Sequence, residues 1–260
     1  MLTRSLVAVA VAVAVSQIVS AADKPVPATD APLIELRVYT ATKGKLDALN
    51  ARFRDHTLKL FEKHGMINLG YWMPIENPDE KLYYLLAHKD RATRNASFKA
   101  FQADADWQKA HAESEKDGKL VTKIEEHFLS ATDYSPAAKV VKGDKPRVFE
   151  LRTYTTTEGN LAALNSRFRD HTVKLFEKHG MTNLYYFTPV KGEKDEANTL
   201  IYFLAHDSVD AAKKSFDSFR KDPSWIAAKE ASEKAAGSSL TTKDGVQSLF
   251  LKAVDYSPTK

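Results

Sequence analysis

RFRDHTLKLFEKHGM, Arg52 to Met66, returns as RFRDHTVKLFEKHGM, Arg167 to Met181, with Leu58 exchanged for Val173. The interval between the copies is the length of a small domain, too long for a solenoid repeat. The chain is therefore read as two copies of one folding unit. Leu46, Leu49, Phe53, Leu60 and His64 recur at helical spacing, which predicts a helix from about Gly44 to His64 with one apolar face. Gly65 supplies the left-handed residue that ends it. Leu161, Leu164, Phe168, Leu175 and His179, followed by Gly180, repeat the pattern.

Upstream of each helix lies an alternating stretch, LIELRVYT (Leu33 to Thr40) and VFELRTYT (Val148 to Thr155). Alternation at period two predicts strands with two unlike faces. Downstream, INLGYWM (Ile67 to Met73) and KLYYLLAH (Lys81 to His88) predict a hairpin about the turn Asn77-Pro78-Asp79. Copy two has Thr182 to Thr188 and Leu200 to His206, joined by a longer polar loop, Lys191 to Asn198. Loop insertions of this kind are cheap.

A second helical region follows, Asp90 to about Lys116, and Asp222-Pro223 interrupts its twin. Asp is a good N-cap and Pro is tolerated at the first helical position, so the region is expected to be two helices broken at Asp222 and at Asp104. Phe98, Phe101, Phe216 and Phe219 are expected to face the sheet, with Trp107 and Trp225 on the short second helices. A last strand, Lys119 to Leu129, leads to Asp133-Tyr134-Ser135-Pro136, matched by Asp255-Tyr256-Ser257-Pro258.

Each unit thus reads β-α-β-β-α-β, the ferredoxin-like order. Such a sheet carries helices on one face and needs cover on the other. The expected fold is α+β, two ferredoxin-like units packed sheet to sheet as an intramolecular dimeric α/β barrel. The expected boundaries are 33–136 for the first unit, 137–147 for the linker and 148–258 for the second.

Residues 1–21 have a basic start at Arg4, an apolar run from Leu6 to Val15 and small residues at Val19-Ser20-Ala21. That is the pattern of a cleaved secretory signal, and the run is well short of the roughly 20 residues that span a bilayer. Residues 22–32 read as a flexible lead-in. The expected product is exported, periplasmic or secreted, with no stable membrane insertion once the signal is removed. Cysteine is absent, so hydrophobic cores rather than disulfides must hold it. The net charge of +4 is small and lacks a basic cluster, which argues against nucleic acid.

The motifs ELRVYT and ELRTYT, the RFRDHT helix, the KHGM ending and the following strand to proline resemble the NIPSNAP family, over nearly the whole mature chain in two copies. The resemblance implies tandem NIPSNAP domains of the dimeric α/β-barrel superfamily. That superfamily includes cofactor-free monooxygenases, haem-degrading enzymes and small-molecule isomerases, and fold analogy alone selects none of them.

The candidate site residues are Glu35, Arg37, Tyr39, Tyr84 and His88, with Glu150, Arg152, Tyr154, Tyr202 and His206 in copy two. If Ile34, Leu36 and Val38 pack under the helices, these polar side chains face the barrel interior. There they must pair with one another or receive a polar ligand. His56 and His171 are expected at the edge of the helix's apolar face, as acid-base candidates or as helix-to-sheet contacts. His64 and His179 suit the helix C-terminus by charge. Arg54-Asp55 and Arg169-Asp170 are expected to be exposed surface pairs.

His56 and His64 are about 12 Å apart along a helix, and no HxxxH or HExxH pattern occurs, so no metal site is expected. No GxSxG, GxGxxG or Walker pattern occurs either, so no cofactor is expected. The function read from these residues is a module binding a small organic ligand or a protein. The alternatives are a cofactor-independent oxygenase or isomerase and a structural protein with a filled barrel. A further copy of the chain is a compatible partner. An open pocket touching Tyr39, His56 and His88 favours ligand or enzyme; a filled centre with Glu35 and Arg37 paired favours the structural reading.

Overall fold

The computed structural model describes residues 32–143 and 145–260. The export signal expected at 1–21, and all but the last residue of the lead-in, lie outside them.

The first half runs β1 (Leu33–Ala41), α1 (Leu46–Arg52), a π turn (Phe53–Thr57), α2 (Leu58–Lys63), β2 (Ile67–Pro74), β3 (Lys81–His88), α3 (Arg91–Ala103), α4 (Ala105–Ser114) and β4 (Val121–Ala131). The second runs β5 (Val148–Thr156), α5 (Leu161–Arg167), a π turn (Phe168–Thr172), α6 (Val173–Lys178), β6 (Thr182–Pro189), β7 (Thr199–His206), α7 (Val209–Arg220), α8 (Pro223–Ala236) and β8 (Thr241–Ala253). The eight strands close into one barrel in the order β1-β3-β2-β8-β5-β7-β6-β4. Two short ladders join the halves: Trp72–Pro74 against Leu251–Ala253, and Leu129–Ala131 against Phe187–Pro189. The mutual cover expected of the two sheets is present.

The expected caps hold their places. Gly65 and Gly180 end α2 and α6 at φ 75° and 78°. Asp104 accepts from the backbone N–H of Asp106, and Asp222 from that of Ser224, at the starts of α4 and α8. Each N-cap aspartate also takes a histidine from the end of the repeated helix, His64 Nε2 after α2 at 2.7 Å and His179 Nε2 after α6 at 2.8 Å.

Three expectations are corrected. The helix through the repeated stretch is not regular: its central FRDHT is a π turn in both halves, with Leu58 N–H donating to Phe53 C=O. Thr57 Oγ1 donates to Arg52 C=O at 3.1 Å, as does Thr172 to Arg167. The extra residue turns Arg52 inward, where it pairs with Glu115 at 3.0 Å.

Second, Arg54 and Arg169 do not pair with their neighbouring aspartates. Arg54 donates twice to Asp255, both bonds 2.7 Å, and Arg169 does the same to Asp133. The shared Asp-Tyr-Ser endings are thus reciprocal clamps between halves. Tyr256 OH donates to Asn50 Oδ1 and Tyr134 OH to Asn165 Oδ1. Ser257 and Ser135 hydroxyls accept the Tyr71 and Tyr186 N–H groups.

Third, the strand faces are reversed. Ile34, Leu36, Leu85 and Leu129 share one buried cluster with Phe149, Leu151, Phe203 and Leu251 of the other half, so the apolar face points into the barrel. The polar trio and its partners face the helices. An eight-stranded barrel is only just wide enough for side chains to fill. Carboxylates and guanidinia there would lose water on every side, whereas the helices bring partners to the outer face. Linker residues Ala138 and Val141 pack on this core, and Tyr185 OH donates to Lys139 C=O at 2.6 Å. Thr259 Oγ1 donates to Leu69 C=O at 2.6 Å, so linker and tail cover the barrel beside β2 and β6.

Candidate functional site

Between the outer face of the first half's sheet and its helices lies a charged cluster built on β1. Glu35 is fully buried. It accepts from Arg37 NH1 at 2.6 Å, from Arg94 Nε and NH2 at 3.0 and 2.6 Å, and bonds His88 Nε2 at 3.0 Å. Arg37 reaches Glu126 at 2.5 Å and donates from Nε to Tyr84 OH at 2.8 Å and from NH2 to Tyr39 OH at 3.2 Å. Two guanidinia and two carboxylates balance, as a buried ionic cluster requires.

Burial by itself raises the Glu35 carboxyl; the His88 and Arg94 hydrogen bonds and the charge of Arg37 outweigh it and hold the group at about 2. Burial pushes the Tyr84 phenol well above its ordinary range, so it stays protonated. For Arg37 burial acts downward, but the nearby phenols and carboxylates prevail and raise it.

The second half keeps a reduced version. Glu150 accepts from Arg152 NH1 at 2.6 Å and Ser248 Oγ at 2.5 Å, and bonds His206 Nε2 at 2.9 Å. Arg152 NH2 donates to Tyr154 OH at 3.2 Å. Burial again works against ionisation of Glu150, and His206 with Arg152 still lowers it. Ala212 stands where the first half has Arg94, and Ser248 faces Arg152 where Glu126 faces Arg37. Tyr202 is fully buried beside Tyr154, ring centroids 5.4 Å apart.

A cavity of about 930 Å³ opens beside the first cluster, between α3, α4 and the β1–β4 edge. Arg37 and Tyr39 line it beside the cluster; Phe53, Phe98 and Trp107 are among its walls. The π turn sets this wall, for Phe53 and Thr57 both line the cavity. π turns recur at functional sites. Ile124, opposite Tyr39 in the β1–β4 ladder and 46% exposed, stands at the mouth. Six basic side chains line it against two carboxylates, Glu115 and Glu126.

The structure therefore gathers Glu35, Arg37, Tyr39, Tyr84 and His88 into one cluster and Glu150, Arg152, Tyr154, Tyr202 and His206 into another, though outside the barrel. His56 and His171 join neither. Both are exposed and line separate grooves between helices. They lie on the exposed side of the helix, apart from the charged clusters. No one cavity touches Tyr39, His56 and His88 together: Glu35 is paired with Arg37, and a cavity touching Tyr39 lies outside the barrel. Arg94 and Glu126 were missed. Their signal is a difference between copies, Arg94 against Ala212 and Glu126 against Ser248, easily overlooked beside a near-exact repeat. Among the described residues no three His, Asp or Glu side chains are grouped to hold a metal, and no helix is long and apolar enough to cross a membrane.

A family model described as NIPSNAP matches residues 34–136 and 149–258. No curated protein matches the chain. Among solved structures, an anthrone oxidase-like protein is 13% identical with a TM-score of 0.56, covering 88% of this chain and 94% of that one. A candidate monooxygenase from Fusobacterium nucleatum subsp. nucleatum is 11% identical with a TM-score of 0.55, covering 87% and 94%. A NIPSNAP domain protein from Burkholderia xenovorans is 22% identical with a TM-score of 0.36, covering 40% of this chain and 98% of its own. The first two span both halves and share the fold.

Proposed function

We infer that this chain, which belongs to the NIPSNAP family, binds a small planar organic acid in the helix–sheet cavity of its first half. The observation carrying this reading is the cavity itself: about 930 Å³, with the aromatic rings of Phe53, Phe61, Phe98, Phe101 and Trp107 among many polar and charged side chains, Arg37 and Tyr39 included. Ligand sites have this size. Arg37, Arg94, Arg52 and Lys123 are already paired with carboxylates, which leaves Lys99 and Lys119 on the lining to favour an anion. The rings of Phe53, Phe98 and Trp107 on its walls favour an aromatic guest, met at their edges because Arg37, Arg94, Arg52 and Phe101 already lie over Phe98 and Trp107.

Calorimetric titration with 1-hydroxy-2-naphthoate tests it. The expected result is saturable binding of one equivalent, weakened at least tenfold by Ile124→Glu and retained by Ile124→Leu. Ile124 is exposed, so neither change threatens the fold. Binding equal in wild type and Ile124→Glu overturns the assignment.

A second reading, a cofactor-independent oxygenase or isomerase, is supported by Tyr39, whose hydroxyl accepts from a buried guanidinium at the cavity end. That contact fixes the hydroxyl in place at the cavity, which makes it a candidate acid-base group by geometry. Oxygen uptake with dithranol, lost in Tyr39→Phe, supports turnover; uptake equal in the variant removes Tyr39. Export is proposed from residues 1–21 alone, and N-terminal sequencing of the protein from a periplasmic extract tests it.

A further inference from the structure

A second cavity, about 770 Å³, lies away from the helices. Its walls come from both halves: Leu36 and Val38 of β1, Leu129 of β4, Leu151 of β5, Ile201 of β7 and Leu249 of β8, with nothing from β2. Several of these belong to the barrel's central core. The cavity is therefore the unfilled part of the barrel interior. It persists because the ladders joining the halves are three residues long, so β4 and β8 run on past them, each paired on one side only. Trp72, Phe187 and Phe203 fill the remainder. A barrel of eight strands is either filled by side chains or holds one small ligand; this one divides its interior between the two.

The rim is specific to copy two. Glu193, Lys194 and Asp195, in copy two's longer loop, line the cavity. The loop is tied across to the other half, with Arg91 NH2 donating to Glu193 Oε1 at 2.6 Å and Val190 N–H to Phe128 C=O at 2.9 Å. Copy one's turn has no such length, and Val209 replaces Arg91 in copy two. The insertion is thus a strap beside the barrel mouth.

The chemistry of the walls selects the occupant. The part shared with the barrel core is aliphatic; the rest carries neutral hydrogen-bonding groups, the hydroxyls of Thr153, Thr155, Thr199 and Ser248, the amide of Gln247 and the ring of His127, besides the charged rim. Of the rim carboxylates, Glu125, Glu193 and Glu126 are matched by Lys123, Arg91 and Arg37, and the fourth, Asp195, is offset in charge by the neighbouring Lys194, which also lines the cavity. A charged guest would be desolvated without a counter-ion. We propose that this axial chamber is a second binding site, distinct from the helix–sheet cavity, for an uncharged, largely apolar small molecule with one hydrogen-bonding end.

N-phenyl-1-naphthylamine, neutral at pH 7, is the probe, titrated into the full chain and followed by its fluorescence. The expected result is saturable enhancement at one equivalent. Thr153→Trp and Gln247→Trp, which place an indole in the chamber, raise the dissociation constant at least tenfold. Gln247 is exposed, so its variant folds even where Thr153→Trp does not. Ile124→Glu and excess 1-hydroxy-2-naphthoate leave the titration unchanged, which separates this site from the first. Absence of saturable enhancement, Gln247→Trp binding as wild type, or probe lost in Ile124→Glu each overturns the proposal.

Discussion

Glu35→Gln preserves shape and removes one charge from a carboxylate that has no exposed surface and accepts from two guanidinia. Holding that carboxyl at about 2 instead of its ordinary 4.5 corresponds to roughly 3 kcal/mol of native stability, at about 1.4 kcal/mol per pH unit. Breaking a buried pair from one side costs about 3–5 kcal/mol, the same range. For a body of this size each kcal/mol shifts Tm by about 2–4 °C, so a fall of roughly 6–12 °C is expected. The folded-state value is depressed, so the contribution is complete above pH 4.5 and is lost as pH falls towards 2. Urea unfolding followed by circular dichroism should therefore give a wild-type to Glu35→Gln gap that is largest at pH 7 and shrinks steadily below pH 4.5 as pH falls towards 2. Glu150→Gln should cost less, because Ala212 leaves Glu150 a single guanidinium. A Tm change under about 2 °C for Glu35→Gln, or a gap independent of pH, would refute the view that this cluster is a stabilising ionic centre.

Gly70→Ala places a methyl carbon 2.2 Å from Trp72 Cη2 and 2.4 Å from Cζ2, against an indole with no exposure. Overpacking of this kind costs about 1–3 kcal/mol, read as a lower urea midpoint; an unchanged midpoint would mean the indole has room to move. Arg54→Ala with Arg169→Ala removes both inter-half clamps, which are exposed ion pairs. A small fall in Tm at low salt is expected, disappearing in 1 M NaCl where the screening length is about 3 Å; a salt-independent fall would assign the clamps to packing on Tyr256 and Tyr134 instead.

Local sequence determined a great deal of this protein. The doubled RFRDHT stretch, the period-two strands and the Gly65 and Asp104 signals fix the order of elements, the helix break and the need for two sheets to cover each other. These are properties of neighbouring residues. Tertiary structure alone decided which strand face turned inward, because Leu82, Tyr84 and Leu86 on one face of β3 are as apolar as Leu85 and Ala87 on the other. The choice belongs to the covering layer, where Arg94 on a distant helix arrives to meet Glu35. The π turn is equally hidden, since FRDHT is compatible with a regular helix and only packing shifts its hydrogen bonds. Both cavities follow from the same cause: they are spaces between elements that no single stretch of chain describes.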